Sequence, residues 1–140
     1  MNSKFKAIAQ VRKQQMDKLE TKLVKARFEK KNIEKKLKSL YEDISNSIPP
    51  KSGTASIMVL FHENLKVLRR EKDDYAKLLE YVSQEVRKLQ NEYKKAHMEF
   101  EKIKYLEEQE YEAWLEKIKK QERIDMDEIS TMLFSNAKGV

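Results

Sequence analysis

The chain has 140 residues, of which 39% are charged, with two glycines, two prolines and no cysteine. Such a composition is typical of long helices and coiled coils, because single apolar residues separated by charges can bury stripes but cannot enclose a pocket. It disfavours an enzyme with a small-molecule substrate or a cofactor, and the lack of cysteine excludes a disulfide framework.

Charge is divided unevenly along the chain. Residues 1–51 carry fourteen Lys or Arg against six Asp or Glu, whereas residues 52–140 carry sixteen against eighteen. If the two parts fold together, a basic helix pairs with a mildly acidic one. Exposed ion pairs contribute only ~0.2–1 kcal/mol each, so we expect apolar packing to supply most of the stability.

The first helix is predicted over residues 3–47. Its apolar stripe advances in steps of three and four, which is the spacing of a heptad coiled coil. One four-four step across Arg12 predicts a stutter that locally unwinds the supercoil. The predicted stripe consists of Phe5, Ile8, Arg12, Met16, Leu19, Leu23, Ala26, Lys30, Ile33, Leu37, Leu40 and Ile44.

Pro49 and Pro50 predict the end of this helix, because proline and the residue before it are disfavoured in a helix. Residues 48–54 are then the tip of a hairpin. After Gly53, Thr54 or Ser56 can accept hydrogen bonds from the free amides of a new first turn. The second helix is predicted over residues 55–135.

The stripe of the second helix alternates three and four without a break from Phe61 to Ile103, and then blurs. It resumes in a shifted phase at Tyr111, which predicts an irregular or hinge region from Leu106 to Tyr111. The unbroken part consists of Phe61, Leu65, Leu68, Lys72, Tyr75, Leu79, Val82, Val86, Leu89, Tyr93, Ala96, Phe100 and Ile103.

Together these patterns predict an all-α fold, a two-helix antiparallel coiled-coil hairpin with a longer second helix, as a single elongated domain over residues 1–140. A tight tip would place Ile44 opposite Ile57 and Phe5 opposite Ala96. The second helix would then lack a partner beyond about residue 97, and about forty residues would project on the order of 60 Å.

We expect the exposed apolar stripe of these projecting residues to be buried against another protein surface, since burial of each large apolar side chain contributes ~1.5–3 kcal/mol. The candidates are a partner protein, a second copy of the chain, or the helix doubling back at residues 104–112. Tyr41, beside Leu40, Ile44, Phe61 and Leu65, predicts a second apolar patch at the hairpin end, of a kind common at interfaces.

The amino-acid sequence contains no recognisable catalytic or metal-binding motif. His62 and His97 lack the spacing of a zinc motif, there is no glycine-rich phosphate loop, and the carboxylates from Glu99 to Glu116 have no predicted cleft. The lysines of the first helix leave open a basic coiled coil that binds an anionic membrane surface or nucleic acid. Nucleic acid is disfavoured because Glu20, Glu29 and Glu34 interrupt those lysines.

The segment Gln121–Ser130 resembles the carboxyl-terminal signature of the flagellar FliJ family, in which a charged stretch runs into an Asp-Glu-apolar triplet. Here the triplet is Asp127-Glu128-Ile129. The restart Gly-Thr-Ala-Ser at residues 53–56 and the apolar run from Phe61 to Leu68 also fit. The resemblance covers the whole chain.

That resemblance implies a non-enzymatic, cytoplasmic component of the flagellar type III export apparatus, held peripherally at the inner face of the cell membrane and similar to the central stalk of rotary ATPases. The implied partners are the hexameric export ATPase, the membrane export gate and export chaperones. It assigns Arg123, Asp127, Glu128 and Ile129 to the ATPase end. It assigns Leu40, Tyr41, Ile44, Phe61, Leu65 and Leu68 to the gate side.

The sequence is also compatible with a different class of function. The chain could be a structural coiled coil that forms homo-oligomers by pairing its projecting stripes. Sedimentation distinguishes this alternative from a stalk, because obligate self-pairing excludes a monomer at working concentrations.

Overall fold

The computed structural model describes residues 3–138, which form two α-helices. Helix α1 comprises Lys6–Ser45, 40 residues, and helix α2 comprises Ala55–Lys138, 84 residues. The described residues contain no β-strand. The prediction of an all-α helical hairpin with a longer second helix is therefore confirmed.

The linker between the helices begins with hydrogen bonds that close the last turn of α1. The amide of Asn46 donates to the carbonyl of Glu42 at 2.8 Å, and the hydroxyl of Ser47 donates to the carbonyl of Asp43 at 2.7 Å. Beyond Ser47 the prolines remove the amide donors and the backbone geometry that another turn requires.

Glycine is needed where the linker turns into α2. Gly53 has a φ of +151°, which L-residues rarely adopt, and a Cβ there would lie 3.1 Å from Cδ1 of Ile57. The carbonyl of Thr54 accepts the first hydrogen bonds of α2, from the amides of Ile57 at 3.1 Å and Met58 at 3.4 Å. Gly53 thus provides the conformation that lets α2 begin at Ala55.

The described residues fall into two compact units. We call residues 17–95 the hairpin unit, and residues 3–16 together with 96–138 the terminal unit. Each unit contains one stretch of α1 and one stretch of α2. The stretches of the hairpin unit carry most of the buried side chains.

The core of the hairpin unit is a narrow apolar seam between antiparallel helices. Six buried side chains form it, and Leu19, Tyr75, Leu79 and Tyr93 pack against it from the sides. Its charges contribute little, since the ion pair at Lys72 is a local one with Asp73. Apolar burial therefore supplies most of the stability. The buried residues are Leu23, Ala26, Ile33, Val82, Val86 and Leu89.

The register of this seam differs from the predicted one. Leu79 lines the same shallow depression as Leu37 and Tyr41, and the Lys72 ammonium lies 5.8 Å from the ring centroid of Tyr41. A tight tip would have placed Tyr41 opposite residue 60 and Leu37 opposite residue 64. The observed neighbours lie 12 and 15 residues later in α2, a shift close to two heptads.

Two physical facts explain why the predicted register was wrong. A heptad stripe repeats every seven residues, so sliding one helix by two heptads returns the same stripe to the interface. The linker of residues 46–54 also permits the slide, because nine extended residues span up to about 30 Å. The sequence pattern therefore specifies the face that packs but not its register.

The predicted stutter at Arg12 is also wrong. Ala9 is buried at 8% exposure, whereas Ile8 is 43% exposed. With Ala9 as the inward residue, the steps from Phe5 through Arg12 and onward alternate four and three without interruption. The regular spacing of the seam decides which side chain faces inward here, and side-chain size does not.

Helix α2 is continuous through the predicted hinge region, and no third helix forms in the described chain. Its half-buried side continues through Ile103, Glu107 and Glu110. Leu106 and Tyr111, the apolar residues that suggested a phase shift, are 41% and 51% exposed. Residues with high helix propensity fill this region and sustain the helix without an apolar stripe.

In the terminal unit, the cover over α2 extends further than predicted. Ser3 and Lys6 share a shallow depression with Trp114. Trp114, Leu115 and Ile118 are half-buried, and every residue from 119 to 137 is exposed. Among the described residues, the uncovered stretch therefore contains nineteen residues instead of about forty.

The register can be tested by crosslinking, because the chain has no native cysteine. We expect Leu37→Cys combined with Leu79→Cys to be joined efficiently by a short bis-maleimide reagent. Leu37→Cys combined with Asn64→Cys should not be joined, because residue 64 lies about 22 Å along α2 from residue 79. Efficient joining of the second pair and not the first would contradict the register described above.

Candidate partner-binding surfaces

The first candidate surface is the exposed end of α2, residues 119–137, which we call the terminal segment. All nineteen side chains are exposed, and six of them are large and apolar. At a rise of ~1.5 Å per residue, the segment is about 28 Å long. Its apolar residues are Ile124, Met126, Ile129, Met132, Leu133 and Phe134, with exposures between 43% and 65%.

Part of the terminal segment continues the stripe that packs on α1 earlier in the terminal unit. Ile118 is half-buried, and helical spacing places Ile129 and Met132 on the same side of α2. Upstream, this side is covered by residues 3–16, whereas here it is bare. Since burial of such side chains is favourable, this side has the composition of a surface that binds another protein.

The four residues predicted for the ATPase end are all exposed, but they do not form one patch. Arg123 and Asp127 are four positions apart and share a side of the helix. Ile129 follows Asp127 by two positions, or about 200°, and so lies on nearly the opposite side. Glu128 lies between them. A partner that contacts all four residues must therefore approach the helix from several directions.

Polar groups of the terminal segment form short hydrogen bonds along the helix. The Nε2 of Gln121 donates to Oδ1 of Asp125 at 3.1 Å, and the hydroxyl of Thr131 donates to the carbonyl of Asp127 at 2.8 Å. Ile124, Asp127, Glu128, Thr131 and Met132 line a shallow depression on one side. The segment is thus ordered helix with mixed apolar and acidic surface.

The second candidate surface lies in the hairpin unit. The patch predicted around Tyr41 does not form as one surface, because its residues are separated in the structure. Leu40 is 2% exposed, so its side chain belongs to the core and does not reach the surface. Tyr41 is 53% exposed beside Lys72, while Phe61 lies about 16 Å further back along α2. The expectation that Tyr41 lies beside Phe61 and Leu65 is therefore wrong.

The beginning of α2 presents more apolar surface than the heptad pattern predicts. Phe61, Leu65 and Leu68 are half-buried, as is Ile44 at the end of α1. Four further apolar side chains of this stretch are between 47% and 62% exposed. The sequence contained a signal for this surface, the continuous apolar run from Ile57 to Phe61, because packing in a single seam does not require five adjacent apolar residues. The exposed residues are Ile57, Val59, Leu60 and Val67.

Acid–base chemistry has no enclosed site in the described chain. None of its buried side chains is polar or charged. The ion pairs His97–Glu101 and Lys102–Glu99, at 3.7 and 3.6 Å, lie on exposed parts of α2. Neither α1 nor α2 contains an apolar stretch long enough to cross a lipid bilayer. Surfaces for binding macromolecules are what this arrangement provides.

The match to a family of known proteins spans almost the entire chain. The family described as Flagellar FliJ protein matches residues 1–139. The chain belongs to the FliJ family. Membership makes it a component of the flagellar protein export system. Comparisons with curated proteins and with solved structures found no match.

Trp114, the only tryptophan, reports on the cover of α2 in this FliJ-family chain. We expect Ala9→Glu to loosen residues 3–16 from α2, because it places a charge at a position that is 8% exposed. Acrylamide quenching of Trp114 fluorescence should then increase. The adjacent change Ile8→Glu, at a 43% exposed position, is the control. Equal quenching in both variants would contradict the described packing.

Proposed function

We propose that the chain acts as a stalk-like, non-enzymatic subunit that couples the hexameric export ATPase to the membrane export gate and assists export chaperones. The observation that carries this proposal is the terminal segment, nineteen helical residues exposed on every side. A helix docked in a groove requires one apolar stripe and a polar back. A helix inside a ring is contacted all around.

The distribution of the assigned residues supports the same geometry. Arg123 and Asp127 lie on one side of the terminal segment and Ile129 on nearly the opposite side. If all of them contact the ATPase, its subunits surround the helix. We therefore propose that the terminal segment enters the ATPase ring, with Ile129 as an apolar anchor and Asp127, Glu128 and Arg123 as charged contacts.

For the export gate, we propose the apolar surface at the beginning of α2. Phe61, Leu65 and Leu68 contribute half-buried side chains, and Ile44 at the end of α1 is also half-buried. Tyr41 is a separate exposed contact beside Lys72. Leu40 supports this region from the core. This assignment implies peripheral attachment at the inner face of the cell membrane through the gate.

Self-association is the second candidate function, because a bare apolar stripe can also be covered by another copy of the chain. The exposed Ile129, Met132 and Leu133 support it. Sedimentation velocity separates the two proposals: the stalk requires a monomer at micromolar concentration, whereas pairing through the terminal segment requires a dimer that Ile129→Asp dissociates.

The stalk proposal predicts that the purified chain raises the turnover of its cognate flagellar ATPase and favours the hexamer. Ile129→Ser should weaken this stimulation about tenfold, since loss of one buried large apolar side chain costs ~1.5–3 kcal/mol of binding. Asp127→Asn should weaken it less. ATPase activity over a titration of the chain is the measurement.

Val67→Ser is the matched control, because Val67 is 56% exposed and Ile129 is 52% exposed. It should retain full stimulation. All three variants should unfold at the wild-type temperature, because none of the altered side chains is buried. Unchanged ATPase turnover at micromolar wild-type chain, or equal effects of Val67→Ser and Ile129→Ser, would contradict the proposal.

A further inference from the structure

The outward side of α1 in the hairpin unit carries an unexplained aromatic residue. Phe28 is 66% exposed and Val24, four positions before it, is 58% exposed. Leu23 and Ala26 face α2, so helical spacing places Val24 and Phe28 on the side turned away from α2. They form one apolar turn that contributes nothing to the core.

The surroundings of this apolar turn are basic. Lys25, Lys31 and Lys35 are exposed on the same outward side, together with the neutral residues Thr21, Asn32 and Ser39. None of the three lysines has an ion-pair partner among the described residues. We call this surface the basic face: Thr21, Val24, Lys25, Phe28, Lys31, Asn32, Lys35 and Ser39.

Between Thr21 and Ser39, the acidic residues of α1 lie off the basic face, and Asp17 and Glu42 occupy the outward positions at its two ends. Glu20, Glu29 and Glu34 fall at its flanks or toward α2 when residues are placed at about 100° intervals. The outward positions between Thr21 and Ser39 therefore contain no carboxylate. A solvated coiled-coil surface normally intersperses both signs, with i,i+4 pairs along its faces. The segregation here favours a partner of negative charge.

We propose that the basic face is a docking site for an acidic amphipathic helix of a partner protein. Val24 and Phe28 form one apolar turn, which matches a pair of large apolar side chains four positions apart on the incoming helix. Lysines on the basic face match carboxylates that flank that pair. This inference concerns a surface other than those assigned to the ATPase and the gate.

A lipid surface fits the basic face less well. An interfacial helix buries a continuous apolar face in the membrane, whereas here Lys31 and Lys35 occupy the outward positions that follow Phe28. Nucleic acid also fits less well, because the basic face has neither arginine nor a series of aromatic residues for stacking on bases. An apolar patch one helical turn long, flanked by lysines, matches the size of the surface that a single partner helix would contact.

The test uses the full chain and a fluorescein-labelled synthetic helical peptide with two leucines four positions apart, flanked by glutamates. Fluorescence anisotropy should show saturable binding to the wild-type chain. Phe28→Ser should weaken binding about tenfold, the size of effect expected from losing one large buried apolar side chain. Lys31→Glu combined with Lys35→Glu should abolish it. Added salt should reduce wild-type binding.

Matched controls distinguish binding at this site from non-specific binding of the peptide. Tyr81→Ser alters an aromatic residue that is also 66% exposed in the hairpin unit, and it should leave binding unchanged. A peptide of the same composition with its leucines moved to opposite sides should bind at least tenfold more weakly. Because Phe28 is exposed, Phe28→Ser should keep the wild-type circular dichroism and melting temperature.

Three results would overturn the proposal. Equal binding of the rearranged peptide would show attraction by charge alone. Binding to vesicles containing phosphatidylglycerol that Phe28→Ser abolishes, without binding to the peptide, would assign the basic face to a lipid surface. A wild-type dimer in sedimentation that Phe28→Ser dissociates would assign it to a second copy. None of these assays contains the ATPase, so the inference and the stalk proposal can fail independently.

Discussion

The seam between α1 and α2 is the interaction on which the other features depend. It buries one narrow stripe of each helix, and its length is limited by α1, which has 40 residues against 84 in α2. Helix α1 can therefore cover only part of α2. Because helices in proteins are stabilised chiefly by tertiary packing, we expect the uncovered parts of α2 to be less stable than the seam in the free chain.

The register of the seam decides which parts of α2 remain bare. With Leu37 beside Leu79, the first turns of α2 extend past the end of α1 and expose the run around Val59 and Leu60. In the terminal unit, the cover ends near Ile118. The chain thus has a bare apolar stretch near each end of α2, and the proposed stalk function assigns a different partner to each stretch.

Sequence reasoning identified the seam well because burial and heptad spacing have the same physical origin. The buried residues Leu23, Ile33, Val82 and Val86 all lie on the predicted stripes. It did not predict the register, because a slide of two heptads keeps the same stripe at the interface. It also chose the wrong inward residue near the start of α1, where Ala9 is buried and the larger Ile8 is exposed. Arg123, Asp127, Glu128 and Ile129 were identified by family resemblance. The helix geometry then showed that they lie on more than one side of the terminal segment.

In the proposed function, residues 119–137 are uncovered in the free chain and buried by a partner. Hydrogen exchange measures this directly. Amides of the terminal segment should exchange faster than those around Val86 in the free chain, and should become protected when the hexameric ATPase is added. Equal protection of both regions in dilute free chain, or no added protection with the ATPase, would contradict the account.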